Sequence, residues 1–315
     1  MSQYAVFWVA FAVAAIVARP IYALLLLTKS RQTIDPYAPE THRTKEGTPT
    51  MGGLITVVGL LAGLIAALLA GNPNDRAYLA SGLLLLLGFG AIGFLDDFII
   101  PRLIKGKRGL GWRQKIVMQF VVAVVALLPT IGFNFVPLGF GVFVILFASN
   151  AYNFADGLDG LAGFIGVAYA AGLVGLASNS SQYGVGVIGF AVAAGLIPFL
   201  YLNAHPARVF MGDVGSLPIG ALLGWASLGL FRDLRAPTLT PLALLALNLL
   251  LIVELVPVPI QVLSFKLTGR RIFPATPIHH SFENKGWPET RIVPAFAMFQ
   301  LLLAVLALTL VGRTR

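Results

Sequence analysis

The chain has 315 residues, of which 57% are hydrophobic and only 11% charged, with a net charge of +9 and a mean hydropathy of +0.86. A soluble domain carries about 25% charged residues, so lipid is the expected solvent for much of this surface. The absence of cysteine excludes disulfides and thiolate-held metals. In a chain this apolar the positive charge is expected from loops that face anionic lipid, and not from nucleic-acid binding.

A membrane-crossing helix needs about 20 apolar residues. Ten segments qualify: 4–28, 51–71, 77–96, 115–132, 137–152, 161–178, 184–202, 215–231, 241–264 and 291–311. The first begins in MSQYAVFWVAFAVAAIVARP, which has neither a basic leader nor an obvious cleavage site, so it reads as a span and not as a removed signal. No soluble domain fits between the spans. The expectation is therefore one all-α integral membrane domain over 1–315 with about ten transmembrane helices.

The connections alternate in character. One set is short and nearly uncharged, such as GNPND and SNSSQY. The other is longer and basic, at 29–50, 97–115, 203–214 and 265–290, and with Arg291 it holds 16 of the 22 Lys and Arg residues. The positive-inside rule then predicts that this second set is cytoplasmic and that both termini are extracytoplasmic. Asp96, Asp97, Asp156, Asp159, Asp213, Glu283, His279 and His280 all map to the same cytoplasmic side. Ionisable groups at a membrane boundary are costly and tend to mark sites.

Five motifs carry chemistry. KEGTPTMGG (45–53) places Lys45, Thr48 and Thr50 near an expected helix start, with Pro49 suited to an early helical position. GFLDDF (93–98) is expected to end the third span on Asp96 and Asp97. Two carboxylates at a helix C-terminus repel each other and the helix dipole, and a bound cation would relieve both. A solvated acidic pair is the bland alternative. SNAYNFADGLDGLAG (149–163) poses the same problem with Asp156 and Asp159, which would share a face if the turn were helical. ARVFMGDVGSLPIG (207–220) sets Asp213 between glycines ahead of the eighth span, where a helix N-terminus favours an anion. An ordinary N-cap explains that motif equally well. PATPIHHSFENKGW (274–287) offers His279 and His280 to a phosphate or diphosphate, as a loop expected to have no part in span packing. There is no GxxxxGK[ST] and no HExxH, which disfavours a P-loop ATPase and a zinc protease. An oxygen-rich, cysteine-free set suits Mg²⁺ or Mn²⁺. Carboxylates for a divalent metal, helix N-termini and basic side chains at one membrane face are the parts of a phosphoryl-transfer site.

At these residues the chain resembles the polyprenyl-phosphate N-acetylhexosamine-1-phosphate transferases, and within them the branch that uses UDP-MurNAc-pentapeptide. KEGTPTMGG, GFLDDF, NFADGLDGLAG, ARVFMGDVGSL and GRRIFPATPIHHSFENKGW carry the resemblance, in family order and over almost the whole chain. It implies a multi-pass enzyme of the bacterial plasma membrane, working in peptidoglycan synthesis. That enzyme transfers phospho-MurNAc-pentapeptide from UDP to undecaprenyl phosphate, giving lipid I and UMP, with Mg²⁺ as cofactor and a homodimer as the assembly. It implies catalytic roles for Asp96, Asp97, Asp213 and His279, and metal ligation by Asp213 with Asn153. It implies substrate contacts at Lys45, Thr50, Asn153, Asp156, Gly157, Leu158, Asp159, Phe210 and His280, with Arg113 and Lys115 as the basic residues near the start of the fourth span. Two positions depart from the pattern. Ser281 replaces a third histidine, with Ser281→Ala expected to be mild, and Ile100 replaces a lysine. The alternative within the superfamily is a GlcNAc-1-phosphate transferase. A transporter would need charges deep within spans, and Glu254 is the one clear case.

Overall fold

The computed structural model describes residues 1–28, 47–104, 106–107, 109–180, 182–233 and 239–312. Among these residues ten helices are long and apolar enough to cross a membrane, the number expected. In chain order the helices are α1 (Gln3–Leu27), α2 (Gly53–Ala70), α3 (Arg76–Phe94), α4 (Ile100–Leu103), α5 (Trp112–Ile131), α6 (Phe135–Phe154), α7 (Leu161–Ser180), α8 (Tyr183–Asn203), α9 (Asp213–Asp233), α10 (Leu239–Leu255), α11 (Pro257–Thr268), α12 (Ile278–Glu283) and α13 (Glu289–Gly312). No extended strand occurs among the described residues.

Three boundaries differ from the sequence reading. The third span does not stop at the Asp96–Asp97 pair. It passes through a π-helical turn, Leu95–Ile99, into α4. Pro101 explains the turn, because it has no N–H to return to the preceding carbonyls and the helix widens to continue. The two acids are therefore held inside a helix and not frayed at its end. The ninth span is two helices, α10 and α11, interrupted at Val256 where Pro257 opens the second. Pro49 is not at a helix start, since α2 begins only at Gly53. Instead the Pro49 carbonyl accepts the Phe210 N–H at 2.8 Å, and Gly52 and Gly53 donate to the carbonyls of Phe210 and Met211 at 2.7 and 3.0 Å.

Helices α8 and α9 are the enclosed centre, and their residues are mostly buried. Helix α9 packs on α6, α3 and α2, while α8 packs on α7, α1 and α2. Glycine makes the tightest crossings possible. A Cβ on Gly53 would lie 2.4 Å from the Gly215 Cα, and one on Gly93 would lie 2.3 Å from the Asp213 carbonyl carbon. The backbones of α2, α3 and the start of α9 are thus in direct contact.

The two ends of the bundle differ. At one end the amino terminus donates to the Ala70 carbonyl, the Tyr183 hydroxyl donates to the Met1 carbonyl at 2.9 Å, and Gly184 donates to Asp75. At the other end Arg102 donates to the Thr28 carbonyl at 2.7 Å. The motif segments gather at this second end.

Candidate active site

Three acids from two helices converge. Ligand oxygens of Asp96, Asp97 and Asp213 lie within 4.8 Å of one another. Asp96 and Asp97 come from the π turn of α3, and Asp213 is the first residue of α9. Each carboxylate is held. Asp97 accepts the Val214 N–H at 3.1 Å, one of the donors that a helix N-terminus leaves unpaired. Asp96 accepts the Leu110 N–H at 2.6 Å. Lys115, from the first turn of α5, reaches Asp96 at 3.0 Å and Asp213 at 2.6 Å. Its ammonium is the positive charge that sits between these carboxylates. Arg113 instead stacks over Trp112, with 5.2 Å from guanidinium to ring centroid, on the exposed face of α5.

Asn153 donates its amide N–H to Asp213 at 2.7 Å and to the Ser216 hydroxyl at 2.8 Å. It therefore meets Asp213 with its donor side and orients that carboxylate. The carboxylate oxygens that converge are those of Asp96, Asp97 and Asp213, with Asn153 hydrogen-bonded to Asp213 beside them. Gly212 has φ +71, and a Cβ there would meet Asp97 at 2.5 Å and the Thr50 hydroxyl at 2.9 Å. Thr50 and Phe210 are thus drawn to the rim by the backbone pairing of their segments. Met51 takes φ 74 beside them, a rare conformation for a non-glycine residue. Lys45 lies outside the described residues.

The FADGLDG segment is a turn and not a helix, so Asp156 and Asp159 do not share a face. Gly160, at φ +81, redirects the chain between them and α7. Asp156 faces the acid cluster. Burial, then the neighbouring Asp213 and Asp97, push its carboxyl well above the ordinary carboxylate range, offset in part by the Gly212 N–H. Asp159 turns inward and is only 4% exposed. Its carboxylate pairs with His205 at 3.1 Å and accepts the Ala207 N–H at 3.0 Å, while its own N–H donates to Glu289. Leu158 is also buried, in a small core with Ile165, Ile292 and Phe296. Both side chains support the turn from beneath.

The His279–His280 loop forms α12 and closes over Gly157. A Cβ on Gly157 would lie 2.4 Å from Nε2 of His279 and 3.4 Å from Nε2 of His280. His279 is fully buried, with Nδ1 2.8 Å from Glu254 of α10, and the part-exposed His280 pairs with Glu283. The loop is packed, contrary to the expectation from sequence. Phe282 lies edge-on to Phe296 at 5.6 Å and beside Trp287 at 5.2 Å. Ser281 is buried and ties the loop to itself, donating to the Ala275 carbonyl at 2.7 Å and accepting the Ala275 N–H at 3.2 Å.

Several participants escaped the sequence reading. Glu254 carried a signal, as an acid within a span, but nothing indicated its partner. Ser216, His205 and Glu289 carried none, because their partners are distant in the chain.

A bundle of ten apolar helices with an all-oxygen acid cluster and a lysine at one end defines a multi-pass membrane enzyme built for phosphoryl chemistry. Residues 79–231 match the Glycosyl transferase family 4 model, and residues 45–55 match the phospho-N-acetylmuramoyl-pentapeptide-transferase signature 1. The phospho-N-acetylmuramoyl-pentapeptide-transferase of Desulforamulus reducens is 37% identical over 97% of this chain and 96% of its own length. That of Acetivibrio thermocellus is 38% identical over 96% and 93%, and that of Bacillus subtilis 35% over 95% and 94%. The chain belongs to the phospho-N-acetylmuramoyl-pentapeptide-transferase family.

Proposed function

We propose that the chain transfers phospho-MurNAc-pentapeptide from UDP-MurNAc-pentapeptide to undecaprenyl phosphate, releasing UMP and forming lipid I. The observation that carries this reading is the convergence of Asp96, Asp97 and Asp213 within 4.8 Å, with Lys115 bridging two of them. Three carboxylates with no sulfur or imidazole among them fit a hard divalent cation, and the lysine ammonium already marks the place where positive charge is stabilised. Mg²⁺ held by these three acids would supply charge to the phosphoryl group in transfer and to the departing phosphate.

The protein's own groups do the rest. Asp97 and the start of α9 are locked together through the Val214 N–H, so Asp97 and Asp213 keep one geometry. Asn153 and Ser216 orient Asp213. Lys115 is placed to move from carboxylate to a phosphate oxygen as substrate arrives. The second pKa of a phosphate monoester is about 6, so the lipid phosphate is largely ionised near neutral pH and needs positioning more than deprotonation. His280, Thr50 and the Asp156–Gly157 turn form the rim for the nucleotide sugar. Asp159 and Leu158 shape that rim from within. The positive-inside rule applied to the basic loops supports a cytoplasmic face for this end of the bundle, in a bacterial plasma membrane with both termini outside.

The test offers undecaprenyl phosphate with UDP-MurNAc-pentapeptide or UDP-GlcNAc side by side, and follows UMP release. Turnover with the muramoyl substrate alone is expected. Transfer from UDP-GlcNAc in its place would overturn the reading in favour of the other branch of the superfamily.

A further inference from the structure

Glu254 and His279 are each fully buried, at the end of α10 and in α12. A buried carboxylate is costly unless it is paired, yet among the described residues this one has a single hydrogen-bonding partner. One oxygen meets Nδ1 of His279 at 2.8 Å, while the other oxygen and Nε2 of His279 make no hydrogen bond among the described residues. A pair kept for stability alone would be poorly built with two buried polar atoms left over. Its orientation is informative. A carboxylate offers only acceptors, so the proton of this hydrogen bond lies on Nδ1. With that nitrogen engaged, the Nε2 edge faces Gly157, where only a glycine leaves room for it. The neighbouring ring of His280 lies 4.2 Å away, centroid to centroid, and its Nε2 edge also faces Gly157. Glu283 takes its Nδ1 in the same manner. Two carboxylates thus turn two adjacent imidazoles the same way, toward the turn that carries Asp156.

We propose that Glu254 is a positioning residue: by taking Nδ1–H of His279 it fixes that ring against Gly157, and the ring in turn holds His280 with Nε2 toward the phosphate-bearing part of the nucleotide sugar. The inference rests on the transferase reading for the identity of that substrate, but its structural half does not. Removing a carboxylate that orients a metal-bound imidazole from behind costs about 10- to 100-fold, and a loss at the lower end of that range is expected for an imidazole that orients a substrate. Glu254→Leu fills similar space without an acceptor. Glu254→Gln keeps an acceptor oxygen for Nδ1–H.

The experiment has two arms. In the first, ¹⁵N-histidine NMR of the substrate-free protein reads the tautomers of its four histidines, with His279 assigned by loss of its signal in His279→Asn. A proton on Nδ1 of His279 is expected in the wild type and in Glu254→Gln, and a changed or mixed tautomer in Glu254→Leu. An unprotonated Nδ1 in the wild type would overturn the proposal. In the second arm, Glu254→Leu should raise KM for the UDP-sugar about 10-fold or more, with KM for the lipid phosphate unchanged and Glu254→Gln within several-fold of wild type. A loss confined to kcat, tracking the folded fraction, would make Glu254 purely structural and overturn the proposal. If Glu254→Leu does not fold, the wild-type tautomer and Glu254→Gln decide the matter: a Gln variant that alters the tautomer without raising KM, or that raises KM about tenfold with the wild-type tautomer, overturns the proposal. If the wild-type protein does not use the muramoyl substrate, the first arm still stands and the transferase reading alone has failed.

Discussion

Gly93→Ala is the sharpest perturbation of the acid cluster, although residue 93 carries no functional group. Its missing Cβ would fall 2.3 Å from both the carbonyl carbon and the oxygen of Asp213 and 2.3 Å from the Val214 nitrogen. Ordinary contact to such atoms is about 3.5 Å, so α3 and the start of α9 must separate by about 1 Å. Every atom struck is backbone, and no side chain can rotate away. Overpacking of this kind costs about 1–3 kcal/mol of stability. The chemical effect should be larger, because the displaced residue is Asp213 itself and a misplacement of about 1 Å costs roughly 100-fold in rate. UMP release measured at saturating substrates, alongside thermal unfolding in detergent, checks both numbers. Gly90→Ala is the control one helical turn earlier. Its Cβ would lie 3.9 Å from the Val214 carbonyl oxygen and 4.0 Å from Pro218, which is ordinary contact. That variant should keep full turnover and gain up to about 1 kcal/mol from helix propensity. Wild-type kcat in Gly93→Ala, or equal damage in Gly90→Ala, would refute the claim that glycine contact sets the spacing of the acids.

Lys115→Met removes the ammonium that neutralises Asp96 and Asp213, so the protein should unfold at lower temperature in EDTA and recover more than the wild type when Mg²⁺ is added. A site filled to 100 times its Kd gains about 2.7 kcal/mol, and an equal Mg²⁺ response in both proteins would count against these acids as the metal site. The fold favours the protonated form of Asp156, so its contribution to stability is present at low pH and is lost as pH rises through the raised pKa. Asp156→Asn, which cannot ionise, should therefore lose less stability than the wild type as a Mg²⁺-free unfolding series moves from acid to alkaline pH, and parallel slopes would refute the assignment. Ser281→Ala leaves the N–H and C=O of Ala275 without their side-chain partner. These groups are part-buried, so the loss should fall near the lower end of about 1–3 kcal/mol, and an unchanged unfolding temperature would refute a structural role for the Ser281 hydroxyl.

Composition and length were enough to number the membrane-crossing spans, and the loop pattern to group the acids at one end. A helix that crosses hydrocarbon must satisfy its backbone within itself and face lipid with apolar side chains, so length and composition are enough to count the spans. Alternation of the loops then sorts Asp96, Asp156, Asp213 and His279 to one side without any tertiary information. The motifs also marked segments that the fold gathers at one end, because charged and glycine-rich stretches stand out in a chain with so few charges. What lay beyond the sequence was which atoms meet. The turn at 155–160 separates Asp156 from Asp159, sending one to the acid cluster and the other to His205, 46 residues away in the chain. Lys115 and Arg113 read alike as basic residues opening a helix, yet only Lys115 reaches the carboxylates. Glu254 and His279 are 25 residues apart on separate helices. The spacing of the acid cluster rests on close backbone crossings, such as Gly53 on Gly215 and Gly93 on Asp213. A glycine in an apolar helix reads the same in sequence whether it lies against lipid or against another backbone, and only packing distinguishes the two.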